Sequence, residues 1–214
     1  MPYIEIKKSR FYEFLKRALD IVFASILLIT FSPVIVFVSL AIKLDSRGPI
    51  LADTPERVGK NGTQFKMYKF RSMVENAHEI LRENPKFAQL YNQYKKGSYK
   101  LKDDPRITKV GRFIRKHSLD EVPQLLNVLK GEMSLVGPRP FMEDQRKMYG
   151  VHIKTYIHVR PGMTGLWQVS GRNGTTFARR IGLDREYIQR WSLWLDIYIL
   201  LRTIKIVFFE KNAY

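Results

Sequence analysis

The sequence predicts a mixed α/β protein of the α+β kind, mostly helical, in which a kinked N-terminal membrane helix carries a small cytosolic domain. Three observations predict this fold class: an apolar run of membrane length near the N-terminus, helical periodicity over most of the remainder, and two loops rich in glycine and proline. The 214 residues suit one domain with an elaboration. A composition of 45% hydrophobic and 13% aromatic residues excludes intrinsic disorder.

The first element is the uncharged run at residues 21–42. As a helix it reaches about 33 Å, enough to cross the hydrocarbon core of a bilayer. Pro33 lies deep in this run, directly after Ser32, and is expected to bend the helix there. Basic residues outnumber acidic ones on both flanks, which favours the cytoplasm for both ends. A re-entrant hairpin satisfies both ends, with the Ser32 hydroxyl serving backbone groups at the bend, whereas a kinked spanning helix is the alternative.

Residues 46–214 contain no repeat or flexible linker, so we expect one cytosolic domain, with residues 1–45 as its membrane anchor. The expected elements are a strand over 64–70, a helix over 73–93 interrupted at Pro85, a turn at 103–105, helices over 106–116 and 120–130, a shaped loop at 131–140, helical structure over 141–158, a glycine-rich loop at 161–174 and a helix over Tyr187–Phe209.

The last of these helices combines tryptophans, aliphatic residues and scattered basic residues. Such an amphipathic helix can lie in the membrane interface, with its aromatic rings at the level of the headgroups. The alternative is a core helix packed beneath the domain.

Composition and motif searches exclude several kinds of chemistry. The absence of cysteine excludes a disulfide scaffold, a cysteine-ligated zinc site and a cysteine nucleophile. The chain has neither a P-loop motif nor a dinucleotide-binding glycine motif after a strand, and its four histidines lack metal-ligand spacing. The net charge of +17 predicts attraction to anions such as nucleic acid, lipid headgroups, nucleotides or phosphates.

Two adjacent carboxylates, Asp120 and Glu121, open one of the predicted helices. One alternative has Asp120 as the N-cap, so that Pro123 occupies a position in the first turn that needs no N–H. The other has Ser118 as the N-cap, so that Glu121 completes a capping box but Pro123 removes a helical hydrogen bond. In both cases the carboxylates stand at the positive end of a helix, where phosphates also bind. Capping alone is the ordinary reading of such a pair. The rigid Gly-Pro-Arg-Pro segment that follows, with Arg139, makes a magnesium-bound phosphate ester plausible.

From about Lys16 to the C-terminus, the chain resembles the bacterial polyprenyl-phosphate sugar-phosphate transferases, also called monotopic phosphoglycosyl transferases. The motifs that carry the resemblance are FSPVI at 31–35, YKFRSM at 68–73, DPRITKVGRFIRKHSLDEVPQLLNVLKGEMSLVGPRP at 104–140 and RPGMTGLWQVSGRN at 160–173. The ending at 191–203 and GLWQVSGRN look more like the branch that transfers glucose or galactose phosphate than the acetamido-sugar branch.

The resemblance implies transfer of a sugar-1-phosphate from a UDP-sugar to undecaprenyl phosphate, with release of UMP, as the first membrane step of polysaccharide synthesis. It implies Mg2+ as cofactor, Asp120 as the nucleophile that forms an aspartyl-phosphosugar intermediate, and Glu121 as a residue that positions the metal together with Asp120. A carboxylate suits this role because it is already ionised at neutral pH. The resemblance also implies that Ser32 and Pro33 form the bend of a re-entrant helix at the cytoplasmic face of the inner membrane.

Matching motifs assign several basic residues to phosphate or nucleotide contacts, and solvated surface charge is the alternative for each of them. They are Lys69, Arg71, Arg139 and Arg172, followed by Arg106 and Arg160. We expect the UDP-sugar, undecaprenyl phosphate and the lipid bilayer as partners, and no nucleic acid.

The sequence leaves the oligomeric state open, with a homodimer among the possibilities. Longer members of the family carry several transmembrane helices and a further domain before this module, so the chain is expected to be the minimal form or a trimmed piece. Two rival functions are a basic membrane-binding protein without chemistry, for which loss of Asp120 is nearly silent, and a membrane-anchored phosphohydrolase that uses water as acceptor.

Overall fold

The computed structural model describes residues 10–96, 101, 104–171 and 176–209. Over these ranges the chain is mostly helical with two small two-stranded sheets, which confirms the predicted fold class in its coarse form. The elements in order are α1 (Arg10–Asp45), β1 (Glu56–Val58), β2 (Gln64–Lys66), α2 (Ala77–Glu83), α3 (Ala88–Lys96), α4 (Lys109–Lys116), α5 (Gln124–Lys130), β3 (Ser134–Val136), α6 (Arg146–Tyr149), α7 (Ile153–Tyr156), β4 (Gly162–Thr164), α8 (Leu166–Val169), α9 (Phe177–Arg190) and α10 (Leu193–Phe209).

Helix α1 is one continuous helix of 36 residues that passes through Pro33. Among the described residues it is the one helix long and apolar enough to cross a membrane. Because Pro33 has no N–H, the carbonyl of Ile29 loses its usual helical donor. The Ser32 hydroxyl donates to that carbonyl at 2.7 Å. The side chain before the proline thus replaces the hydrogen bond that the proline removes.

Both halves of α1 pack on the rest of the protein. In the first half, Asp20 is buried and accepts hydrogen bonds from the Ser134 hydroxyl and the Leu135 N–H, both at 3.0 Å. Near the far end, Asp45 accepts from the N–H of Val110 at 3.2 Å, which ties α1 to the start of α4. The apolar side chains between these ties are largely exposed, and Ile29 is 74% exposed.

The parallel pair β3–β4 lies inside the two glycine-rich segments that were predicted to be loops. Each strand has three residues, too few to produce an alternating pattern. The two segments approach so closely that a Cβ on Gly162 would lie 2.0 Å from the Gly137 nitrogen. Glycine is therefore required at position 162, and the approach fixes the Gly-Pro-Arg-Pro loop against the segment that leads into α8.

The predicted helix over Tyr187–Phe209 is wrong at its start. The chain breaks at Trp191 and Ser192, so that α9 ends at Arg190 and α10 begins at Leu193. The Ser192 hydroxyl accepts a hydrogen bond from the Leu195 N–H at 3.2 Å, as an N-cap does. The predicted interruption near Pro85 is confirmed, because a 3-10 turn separates α2 from α3 there. The helix predicted from 106 begins later, at Lys109, where Thr108 caps it.

One face of α10 is apolar and exposed, with Trp194 81% exposed and Leu201 62% exposed. The opposite face carries Ile199 and Ile206, which are buried in the main hydrophobic core. The Thr203 hydroxyl on this buried side lies 2.7 Å from that of Thr164 in β4. Helix α10 is therefore largely apolar on both faces, one of which packs in the core while the other is exposed.

Candidate active site

The two carboxylates of the predicted site lie in a 3-10 turn, Leu119–Glu121, between α4 and α5. Neither capping arrangement expected from the sequence is present. Ser118 adopts a left-handed conformation with φ of 55° and makes no capping hydrogen bond through its side chain, and α5 begins only at Gln124, after Pro123. The proline therefore ends the 3-10 turn and starts a new helix. This geometry turns Asp120 into the protein, where it is 5% exposed.

Lys69 joins the two carboxylates. Its ammonium nitrogen donates to Glu121 Oε1 at 2.7 Å and lies 3.6 Å from Asp120 Oδ2. The neighbouring Phe70 N–H donates to the main-chain carbonyl of Asp120 at 3.0 Å. The segment that contains Lys69 is thereby held in register with the carboxylate turn, although 52 residues separate Lys69 from Glu121 in the chain.

The surroundings of Asp120 shift the pKa of its carboxyl in opposite directions. Burial raises the pKa of its carboxyl, the ammonium of Lys69 lowers it, and the neighbouring Glu121 raises it again. The net shift of the pKa is upward. Oxygen Oδ1 of Asp120 is buried and has no hydrogen-bond partner among the described residues. A buried carboxylate oxygen with no partner is uncommon in a folded protein and is a sign of a ligand site.

Arg115 is a residue of this site that the sequence analysis did not select. It lies in the last turn of α4, and its positive charge lowers the pKa of Asp120. Its Nε donates to the Ser72 hydroxyl at 2.8 Å, which orients the guanidinium from the segment that also carries Lys69. Gly111 allows α4 to lie against this segment, since a Cβ there would be 1.9 Å from the Ser72 carbonyl oxygen. The signal for Arg115 was its place in the 104–140 block, five residues before Asp120.

The donor set of the turn fits a magnesium ion. Two carboxylates are the protein ligands that Mg2+ ordinarily takes, with phosphate oxygens and water in the remaining positions. Within the part of the chain that the structure describes, no group of three or more histidine, aspartate and glutamate side chains gathers at one place. This donor set suits a magnesium ion shared with a phosphate ester better than a zinc ion held wholly by protein.

Three of the arginines predicted to contact phosphate donate hydrogen bonds to other parts of the protein in this structure. Arg71 donates to the carbonyls of Arg47 and Ser46, just beyond the end of α1. Arg106 is 2% exposed and forms a two-pronged pair with Asp104, at 2.8 and 2.6 Å. Its third nitrogen, Nη1, donates to the carbonyl of Ala77 at 3.0 Å.

Arg160 likewise donates through Nε to the carbonyl of Gly131 at the end of α5. These three guanidinium groups tie segments of the fold together. Their assignment to phosphate contacts stays a prediction from the sequence. Arg172 lies outside the described residues.

Arg139 has a different environment. Its guanidinium carbon lies 5.6 Å from the centre of the Trp167 ring, and Arg180 lies over the same ring at 4.7 Å. Burial and then the charge of Arg139 lower the pKa of the Arg57 guanidinium to about 10; Asp144 opposes this shift, and Arg180 adds to it. The Gly-Pro-Arg-Pro loop therefore presents Arg139 to a group of arginines that the sequence analysis did not assemble. Arg57 and Arg180 lie 123 residues apart in the chain, so only the fold brings them together.

Comparison with known proteins agrees with this geometry. The family model described as bacterial sugar transferase matches residues 11–210. The chain belongs to this family, and the resemblance found in its motifs is confirmed.

Two of the relatives are named for sugar-phosphate transfer to undecaprenyl phosphate, and a third for exopolysaccharide production. The undecaprenyl-phosphate galactose phosphotransferase of Salmonella typhimurium is 47% identical over 206 residues, which cover 96% of this chain and 43% of the relative. The UDP-glucose:undecaprenyl-phosphate glucose-1-phosphate transferase of Escherichia coli is 40% identical over 222 residues, covering 100% of this chain and 44% of the relative. The exopolysaccharide production protein ExoY of Rhizobium meliloti is 42% identical over 203 residues, covering 93% of this chain and 88% of the relative. The chain thus spans less than half the length of the first two relatives.

Proposed function

We propose that the protein transfers a sugar-1-phosphate from a UDP-sugar to undecaprenyl phosphate, with Asp120 as the nucleophile. The observation that carries this proposal is the buried Asp120 carboxylate, whose Oδ1 has no partner among the described residues while Oδ2 faces Lys69. A carboxylate held in this way is desolvated and oriented, which suits nucleophilic attack. The names of the relatives support the lipid carrier and the class of donor.

In the first step, an oxygen of Asp120 forms a bond to the phosphorus that bears the sugar. The bond from that phosphorus to the bridging oxygen of the diphosphate breaks, and UMP leaves with the electron pair. The product on the protein is an aspartyl-phosphosugar. In the second step, a phosphate oxygen of undecaprenyl phosphate attacks the same phosphorus, which yields undecaprenyl-diphospho-sugar and returns Asp120 as a carboxylate.

The residues around Asp120 have separate tasks in this reaction. Lys69 and Arg115 supply positive charge that keeps Asp120 ionised and attracts the diphosphate. Glu121 and Asp120 would hold Mg2+. When bound, that ion neutralises charge on phosphoryl oxygens, as in other phosphoryl transfers. Glu121 also keeps the Lys69 ammonium in place at 2.7 Å.

We further propose that α1 enters the cytoplasmic leaflet of the inner membrane, bends near Ser32 and Pro33, and returns to the same side. The support is that Asp20 and Asp45, on opposite sides of the exposed apolar middle, both bond to the catalytic part of the chain. A straight crossing would carry one of these polar ties to the far side of the bilayer. The exposed stripe of α10, with Trp194 and Leu201, would lie in the membrane interface beside α1.

Turnover by the full chain in detergent tests the proposed reaction. The protein is incubated with Mg2+, undecaprenyl phosphate and a panel of UDP-glucose, UDP-galactose and acetamido sugars, and released UMP is measured. Asp120→Asn is expected to lower the rate by at least about a thousandfold. Asp53→Asn is the matched control, because that carboxylate is exposed and forms a surface ion pair with Lys66.

Intact mass spectrometry tests the intermediate. With donor and Mg2+ but no lipid acceptor, the wild-type protein is expected to gain the mass of one sugar phosphate, and Asp120→Asn none. UMP release from all donors without any need for lipid indicates hydrolysis instead. Absence of UMP release from folded protein with every donor contradicts the proposed function.

A further inference from the structure

Seven arginine side chains of this protein fall into two groups, according to the groups that their guanidinium nitrogens contact. In the first group each guanidinium donates to carbonyl or carboxylate oxygens, although the buried Nε of Arg71 has no partner among the described residues. Its members are Arg17, Arg71, Arg106 and Arg160. In the second group, Arg139 and Arg180 lie over the Trp167 ring, and Arg57 lies near enough for its charge to interact with both. We call the second group, with Trp167, the arginine–tryptophan cluster.

The geometry of the cluster leaves donors unused. Arg57 Nε and Arg180 Nε are buried and have no hydrogen-bond partner among the described residues. Arg180 reaches the Tyr149 hydroxyl only at 3.4 Å, a weak contact. Like charges held together with unfilled donors destabilise a protein unless an anion neutralises them. The arrangement therefore calls for an anionic ligand.

A buried carboxyl next to the cluster is also unsatisfied. Asp184 is 0% exposed, and neither of its oxygens has a hydrogen-bond partner of ordinary geometry within the described ranges. Arg180 Nε approaches Asp184 Oδ2 only to 4.0 Å. Burial raises the pKa of Asp184 to about 7, opposed by the charge of Arg180 and by the main-chain N–H and the charge of Arg139. Asp184, together with Asp144 near Arg57, supplies at most two negative charges against the three guanidinium groups.

The fold holds the cluster rigidly, although its members come from distant parts of the chain. Arg57 lies in β1, and the N–H of the next residue, Val58, donates to the carbonyl of Phe141 at 2.9 Å, two residues beyond Arg139. Gly137 donates to the carbonyl of Thr164 at 2.9 Å, which joins the Arg139 loop to the segment that leads to Trp167. A preorganised group of cations loses little further side-chain entropy when it binds an anion.

We propose that Arg57, Arg139 and Arg180 form a binding site for the phosphate groups of a phosphate ester. Guanidinium groups match phosphate oxygens in geometry and give short, charge-assisted hydrogen bonds. Three of them suit a group with two or more negative charges better than a single carboxylate. The proposal deepens the proposed function, on which it rests, because that reaction supplies two such ligands: the nucleotide diphosphate and the lipid phosphate.

Binding by calorimetry on the full chain in detergent tests the site without turnover. The probes are inorganic pyrophosphate, UDP and a short-chain polyprenyl phosphate, at one fixed salt concentration. Arg57→Gln and Arg180→Gln are each expected to weaken binding of a phosphate probe by about 10- to 100-fold. Arg190→Gln, on the exposed side of α9 and paired with Glu186, is the matched control and is expected to bind as the wild type does.

The three probes distinguish the source of the phosphate. Weaker binding of UDP and pyrophosphate alone identifies the nucleotide, and weaker binding of the polyprenyl phosphate alone identifies the lipid. Unchanged affinity for all three probes in both variants overturns the site.

Thermal unfolding without ligand gives a second reading. Because it relieves repulsion between like charges, Arg57→Gln is expected to unfold at the wild-type temperature or above. A large drop in that temperature, together with unchanged binding, assigns Arg57 to the fold instead.

Failure of this site and failure of the proposed reaction give different results. If no UDP-sugar releases UMP but Arg57→Gln still loses phosphate binding, the site stands and the reaction does not. If UMP release requires Asp120 while both arginine variants bind all probes normally, the reaction stands and the site does not.

Discussion

Two arginines that follow a proline in this chain, Arg106 in Asp-Pro-Arg and Arg139 in Gly-Pro-Arg-Pro, have opposite environments. Arg106 is 2% exposed, and its nitrogens donate to Asp104 and to the carbonyl of Ala77. Arg139 lies over the Trp167 ring, next to two further arginines. The two motifs look alike in sequence and were both assigned to phosphate contacts.

The difference teaches how to separate an arginine that stabilises the fold from one that is placed for a ligand. The carboxylate two residues before Arg106 neutralises it within the protein, and a buried pair of this kind is costly to break. Arg139 is preceded by glycine and proline, which offer no counter-charge. Asp184 interacts with the charge of Arg139, but no direct ion pair joins these two side chains within the described ranges.

The largest expected effect is on stability, from Arg106→Gln. This change leaves Asp104 buried without its cation, so the free energy of unfolding is expected to fall by about 3–5 kcal/mol. Thermal unfolding followed by circular dichroism measures it. Arg112→Gln, on the exposed side of α4, removes the same charge and is expected to change stability little. Equal losses from both variants would show that total charge matters and not the Asp104 pair.

The next largest effect is expected on catalysis, from Arg139→Gln, in contrast to the effect of Arg106→Gln on stability. Arg139→Gln is expected to lower kcat/KM for the UDP-sugar by about 10- to 100-fold, because one charge-assisted contact to phosphate is lost. Its unfolding temperature is expected to stay near that of the wild type. A loss of stability as large as that of Arg106→Gln would break the comparison, since Arg139 would then serve the fold.

A smaller effect is expected from combining changes at the buried pair. Asp104→Asn in the Arg106→Gln background removes the carboxylate left unpaired, so the double variant is expected to recover about 1–3 kcal/mol of the stability lost. A double-mutant cycle on unfolding free energies measures this coupling. Additive losses contradict the pairing seen in the structure.

The smallest effect is a shift along the pH axis in the profile of kcat, expected from Lys69→Met. Lys69 resembles Arg106 in having carboxylate partners, which here are the two carboxylates of the candidate active site. Burial raises the pKa of Asp120 and Lys69 lowers it. Since the nucleophile must be ionised, the rate rises with pH through this pKa. Lys69→Met raises the pKa further, so the acid limb of kcat against pH is expected to move to higher pH, whereas Lys60→Met leaves it in place.

The parts of the fold that the sequence predicts are those that short stretches of sequence determine. The long apolar run, the interruption at Pro85 and the mostly helical character were all predicted, because periodicity and proline act locally. The three-residue strands β3 and β4 were missed, since close packing of Gly137 against Gly162 creates them and not a local pattern.

The candidate site divides in the same way. Asp120 and Glu121 were found as neighbours in sequence, and Lys69 through its motif. Their burial in a 3-10 turn, with Ser118 left-handed, was not predictable, because the helix start is set by packing against the segment of Phe70. Arg115 enters the site through the same packing.

By itself, the sequence determined that the protein has a membrane-length helix, a carboxylate pair at a helical turn and an excess of positive charge. These properties depend on residue type and short spacing. Only the tertiary structure decided which positive charges are already neutralised. The Ala77 carbonyl that binds Arg106, and the arginines that lie near Arg57, come from distant segments. The energy of a charge depends on what surrounds it in space.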